Sequence, residues 1–166
     1  IMNLDAEGQI PLKLVEVVRT NAFREFQART LELVHRVDAF FILNHDTMKD
    51  ERQEYVEMLR VGRWYLEQVK KPEASDQRQF VEEGMLCAAD DSGFNQGFEA
   101  FSMAVEILEQ DAHPADLRPR TPKRGPFMVN RWRAHQLGIS LEEKGDLIEQ
   151  VVEGALAMPA EAAASP

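Results

Sequence analysis

The stretch Glu73–Ala89, EASDQRQFVEEGMLCAA, follows a proline and carries Val81, Met85 and Ala88 four and three residues apart. That spacing predicts a helix with one apolar side. Lys71 stands just before Pro72, where a preceding helix would end. Upstream, Tyr55, Leu59, Gly62, Leu66 and Val69 keep helical spacing, and Thr47-x-x-Asp50 has the capping-box form, so a helix is expected from Thr47 to Lys71. Before that, Phe23, Phe26, Leu33, Val37 and Phe40 alternate three and four apart behind Asn21, a suitable N-cap. Pro11–Thr20 is read as a further helix with Pro11 in its first turn, although Ile10, Leu12 and Leu14 also alternate as in a strand.

Downstream, Asp90-Asp91-Ser92-Gly93 reads as a break. Phe94, Phe98, Phe101, Val105 and Leu108 then mark a helix whose aromatic row is expected to pack into the core. Ala112–Pro126 is a Pro-rich connection. A short helix is expected from Phe127 to Leu137, stopped by Gly138, and a last one from Ser140 to Ala157, capped by Ser140-x-x-Glu143. No strand pair with turn chemistry is visible. The expected fold is all-α: a single helical domain of five to seven helices over residues 1–158, with a short tail at 159–166.

Composition agrees with a soluble domain. The 166 residues are 44% hydrophobic and 29% charged, close to globular usage. The longest apolar run, Ala39–Leu43, is far below the ~20 residues of a membrane span. The acidic N-terminus lacks a signal-like pattern and there is one cysteine, so the expected compartment is cytoplasmic.

The net charge is −10, which disfavours general attraction to nucleic acid or anionic membrane. Between Leu117 and Leu141, however, Arg118, Arg120, Lys123, Arg124, Arg131 and Arg133 stand without an acid. The rest of the chain, with 13 basic and 29 acidic residues, carries −16. Arginines flanking Trp132 suit bidentate contacts to phosphate or carboxylate. The segment is thus a candidate for binding a partner or phosphate. The first reading, though, is a strap lying across the chain's own acidic helices.

Motifs for chemistry are scarce. There is no Walker loop, dinucleotide glycine pattern, zinc helix or nucleophile elbow. Glu32-x-x-His35 has the spacing of bundle di-iron sites, but no second copy exists, and His45, His113 and His135 have no partner at ligand spacing. Cys87 lies among apolar neighbours and reads as inert. Gly138 between two expected helices has a helix-turn-helix outline, yet Leu141–Ala157 is acidic and would be repelled by a DNA groove.

Glu51-x-x-Glu54 followed by Glu73-x-x-Asp76 resembles the acidic motif of the MazG-like all-α nucleotide pyrophosphohydrolases. That resemblance rests on four residues and implies Mg²⁺ held by their carboxylates. The leading expectation is different: a small acidic helical adaptor or accessory subunit without a cofactor. It would bind a protein partner, or a second copy, and any nucleic acid only through the basic segment. No membrane association is expected. The pyrophosphohydrolase is the alternative.

Overall fold

The computed structural model describes residues 12–159, with the backbone alone for 143 and 144. Its contacts divide the chain into two compact units: Ile1–Phe40 with Asn44–Pro72, and Phe41–Leu43 with Glu73–Pro166.

In the first unit, helix α1 spans Phe23–Leu33 and α2 spans Met58–Gln68. Phe23, Met48, Val56 and Val61 form the core, with Phe26 and Trp64 packed against it. The Trp64 ring meets Phe23 and Phe26 edge-on at centroid separations of 6.0 and 5.8 Å, a favourable aromatic geometry. The helix expected from Thr47 begins eleven residues later, and the reason is local. Asp50 Oδ1 accepts the N–H groups of Arg52 (2.8 Å) and Glu54 (3.0 Å), closing a turn that a helix would have to open. Residues 12–20 are not helical either; the alternation that competes with the helix reading also shows in their burial.

In the second unit the all-α expectation is overturned. A five-stranded sheet runs in the order β1-β2-β3-β4-β5, with β1 at Phe40–Phe41, β2 at Glu73–Ser75, β3 at Cys87–Ala89, β4 at Phe127–Asn130 and β5 at Gln150–Val152. The fold is mixed α/β. Strands β2 and β3 pair in parallel, β3 and β4 antiparallel, and β4 and β5 in parallel. Ile42 continues the edge by donating its N–H to Ala74 O at 2.9 Å.

The stretch read as one helix is a strand–helix–strand unit, β2, α3 (Arg78–Glu83) and β3. Gly84 ends α3 at φ 125°, a backbone conformation that glycine adopts without steric cost. Met85 N–H then closes on Phe80 O at 2.9 Å, and the chain leaves extended. Val81, Ala88 and Met128 form one cluster, and Leu86, Val129 and Ala134 another. Val81 and Ala88 therefore do share a buried environment, but as helix against sheet.

Two more expected helices change class. The one from Phe127 is β4 followed by α5 (Arg131–Gln136). Asn130 separates them: its Oδ1 caps the N–H of Arg133 at 2.9 Å, and its Nδ2 donates to Val81 O and Gly154 O at 2.8 and 2.6 Å. The one from Ser140 is a 3₁₀ segment, Glu142–Leu147, followed by β5. The helix marked by the aromatic row is present as α4, Gly93–Glu109, with Ser92 Oγ accepting the N–H of Asn95. It buries none of its residues, so the core role expected for Phe94, Phe98 and Phe101 is corrected. Of the expected tail, residues 160–166 lie outside the described residues. No helix of the described residues is long and apolar enough to cross a membrane.

Candidate functional site

Parallel β2 and β3 end on the same edge of the sheet, at Ser75 and Ala89. In open α/β sheets ligands bind outside the carboxyl ends of such strands. The residues that follow are polar: Asp76, Gln77 and Arg78 after β2, Asp90 and Asp91 after β3. Asp91 donates its N–H to Asp76 O at 2.9 Å, which ties the two strand ends together. Ser75 Oγ accepts the N–H of Gln77 at 3.3 Å and turns the chain into α3. Beside Asp90, Gly125 donates its N–H to Asp90 O at 2.7 Å. A Cβ at Gly125 would come within 2.7 Å of Asp90 Oδ2, so only glycine allows this approach.

An open cleft of about 390 Å³ lies here, lined by Gln77, Arg78, Gln79, Glu82, Asp90 and Asp91. Arg78 crosses it loosely, 3.6 Å from Asp90 Oδ2 and 3.9 Å from Glu82 Oε1, with a hydrogen bond to Gln150 Oε1 at 3.2 Å. Three carboxylates, of Glu82, Asp90 and Asp91, line the cleft with this one guanidinium, and Asp76 adjoins it in sequence at the end of β2. Oδ1 of Asp76 is buried and accepts no hydrogen bond from any described residue. A buried carboxylate oxygen left in that state is costly. An incoming N–H or ammonium group would satisfy it.

A second cleft of about 560 Å³ is lined by Ser92, Asn95, Lys123, Arg124, Gly125, Pro126 and Glu149. Its one carboxylate is already taken up. Arg124 Nη1 donates to Glu149 Oε2 at 2.5 Å, and the Phe127 N–H donates to the same oxygen at 2.7 Å. Those contacts, the guanidinium bond first, hold the Glu149 carboxyl below its ordinary value.

The basic residues singled out from sequence do not form one surface. Arg118, Arg120, Lys123 and Arg124 are exposed. Arg120 bridges Glu99 at 3.1 Å and Glu106 at 2.6 Å. Lys123 O accepts from Asn95 Nδ2 at 2.8 Å. Arg131 meets Glu153 at 2.9 Å. Trp132 and Arg133 are buried. Arg133 makes a two-pronged pair with Glu73, at 2.8 and 3.0 Å, and Glu73 Oε1 also accepts the Leu86 N–H.

The four carboxylates read as a Mg²⁺ set fare similarly. Glu51 and Glu54 are exposed on the Asp50 turn, where Glu51 pairs with Arg24 at 2.7 Å. Glu73 is taken up by Arg133, and Asp76 Oδ1 is buried away from Glu73's partner. Among the described residues no three histidine, cysteine or acidic groups gather as a metal site. From sequence no binding role was given to Gln77, Arg78, Asp90 or Asp91; for the two aspartates the one signal was the Asp-Asp-Ser-Gly break, which is also where a strand end turns outward.

Residues 5–149 match the family of ABC transporter substrate binding proteins. A conserved domain protein from Vibrio cholerae has a similar structure, with TM-score 0.67 and 20% identity; the match covers 91% of this chain and 48% of that one. The ABC domain from Streptococcus pneumoniae in complex with L-Trp matches with TM-score 0.66 and 21% identity, over 91% of this chain and 49% of that one. This chain thus spans about half the length of these relatives. No individually curated protein matches it. The family match and the shared α/β fold overturn both the helical adaptor and the all-α pyrophosphohydrolase.

Proposed function

The chain belongs to the ABC transporter substrate binding protein family, and from that premise we propose that it binds a small organic molecule bearing an ammonium or similar N–H cation for delivery to an ABC transporter. One observation carries the ligand chemistry: the buried, unsatisfied Oδ1 of Asp76 at the carboxyl end of β2. The surrounding charge agrees, since Glu82, Asp90 and Asp91 outnumber Arg78 in the lining of the cleft. A cation donating to Asp76 exchanges its water for a charge-assisted hydrogen bond, while an anion would meet net repulsion. The pneumococcal relative's bound L-Trp, a molecule with an α-ammonium group, supports a ligand of this class.

Calorimetric titration of the purified chain with the amino acids, simple amines, neutral sugars and dicarboxylates tests the reading. A primary amine is expected to bind best. Asp76→Asn should weaken it by roughly 10- to 100-fold, the weight of one hydrogen bond to a charged group, with the melting temperature nearly unchanged. Selective binding of a sugar or dicarboxylate, or an Asp76→Asn variant of full affinity, would overturn it.

A further inference from the structure

Arg78 is held more loosely than the other paired arginines of its unit. Its Nε lies 3.6 Å from Asp90 Oδ2 and its Nη1 3.9 Å from Glu82 Oε1, both beyond hydrogen-bond reach. Arg120, Arg124, Arg131 and Arg133 meet their carboxylates at 2.5–3.1 Å. The hydrogen bond that Arg78 does make is to a neutral group, Gln150 Oε1, at 3.2 Å. Most of the guanidinium's N–H donors are thus uncommitted, and the side chain is 39% exposed. Helix stability does not account for the residue either. Arg78 opens α3, the end at which the dipole favours acids. It also precedes Glu82 by four residues, the weaker order for such a pair.

We infer, resting on the reading of the cleft as an ammonium site, that Arg78 is a tethered counter-ion: it keeps the ligand's place beside Asp90 and Glu82 and gives it up on binding. Arg78 thereby sets the affinity that an entering cation must reach. An ammonium group would donate to Asp90 directly, at the ~2.7–2.9 Å of a charge-assisted hydrogen bond. The guanidinium has only a longer Coulomb contact with the same carboxylate. Two cations a few ångströms apart repel each other, so the one without a short bond leaves. The stem of Arg78 is long, and its head can pass into water. While Arg78 is in place the cleft is not open to a second cation. The apparent affinity is then reduced by the fraction of molecules in which Arg78 is out. That reduction applies to every cation, so ions that interact only weakly with the acids are kept from filling the cleft.

The test titrates n-butylamine and phenethylamine calorimetrically into the parent, Arg78→Gln and Gln150→Leu, with the melting temperature as the check on folding. Arg78→Gln should bind both amines roughly 10-fold more tightly or better, since a unit charge beside the site is gone. Gln150→Leu keeps every charge and removes the hydrogen bond that holds the guanidinium. It should tighten binding by roughly 2- to 10-fold, the weight of such a bond. A guanidinium that only neutralises the cleft from where it stands predicts no change in that variant. In the parent, phenylglyoxal labelling of Arg78, followed by peptide mass spectrometry, should quicken at saturating amine, while exposed Arg118 labels at a constant rate. The labelling needs no variant, so it decides the matter even where a substitution unfolds the chain. Amine binding that either folded variant leaves unchanged or weakens, or an Arg78 that amine shields, would overturn the inference and leave the ligand reading intact. Amine binding by none of the three proteins would overturn both.

Discussion

At the scale of single residues, the strongest polar commitment is the Glu73–Arg133 pair, with no exposure on either side chain. Two ions withdrawn from water are tolerable together because the fork is bidentate and Leu86 N–H adds a third bond. Glu73→Ala should therefore strand the guanidinium and lower stability by ~3–5 kcal/mol, measured by urea denaturation, and a Glu73→Leu, Arg133→Met double variant should recover much of that loss. Mg²⁺ should leave the parent's melting temperature unmoved, because the carboxylate is already occupied. Neither partner can be paired from sequence: sixty residues separate them, and an acid after a proline looks the same whether it meets solvent, metal or arginine. Cys87 was legible. Its apolar neighbours signal burial, which, with the Glu73 charge as a smaller cause, pushes the thiol up to about 11. Iodoacetamide should label it slowly at neutral pH, with the rate still climbing between about pH 9 and 11, where a free thiol (pKa ~8.5) would level off.

At the scale of elements, long helices announce themselves and short strands do not. The Phe94–Leu108 spacing runs over four turns and located α4, but periodicity reports which residues share a side and not what covers it. Strands β2 and β3 have three residues each, too few for alternation to show, and Ala88 and Ala89 fit a helix as well as a strand. Gly84 was the available signal, since glycine between Glu83 and Met85 fits a helix end better than a helix middle. The Pro-rich connection illustrates the reverse case, in which charge was legible and its destination was not. Arg120 and Arg124 hold the Glu106 and Glu149 carboxyls below their ordinary value of 4.5. A carboxyl depressed in the folded state contributes stability above its unfolded value, and that contribution is lost as pH falls through the lower, folded one. As far as these contacts set it, the melting temperature should thus be insensitive to pH above about pH 5 and fall with further acidification. A Lys123→Glu, Arg124→Glu variant should lose that acid sensitivity in part. At neutral pH its melting temperature should barely change, because the ion pair broken is exposed.

At the scale of the whole molecule, the net charge of −10 is read directly from sequence, but not where its acids and bases meet. The basic segment left two readings open, a site for a partner or phosphate and a strap across the chain's own acidic helices. Arg120, Arg124, Arg131 and Arg133 meet carboxylates of the chain itself, as a strap would, so they cancel locally and leave the acids of the Asp90–Asp91 cleft in excess. Electrostatics then make a demand that hydrogen bonding alone does not. A cationic ligand approaching an acidic cleft on an acidic protein is steered, and steering is screened by salt. Raising the salt from about 0.01 to 1 M shortens the screening length from ~30 to ~3 Å. Stopped-flow association of the best amine ligand should slow steeply over that range, while its dissociation rate changes little, since the Asp76 contact is short-ranged and partly buried. Asp90→Asn, Asp91→Asn should flatten the salt dependence of association without abolishing binding, whereas Asp76→Asn should mainly raise the dissociation rate. An association rate indifferent to salt would mean that the acidic surround plays no part in ligand capture and that Asp76 acts alone.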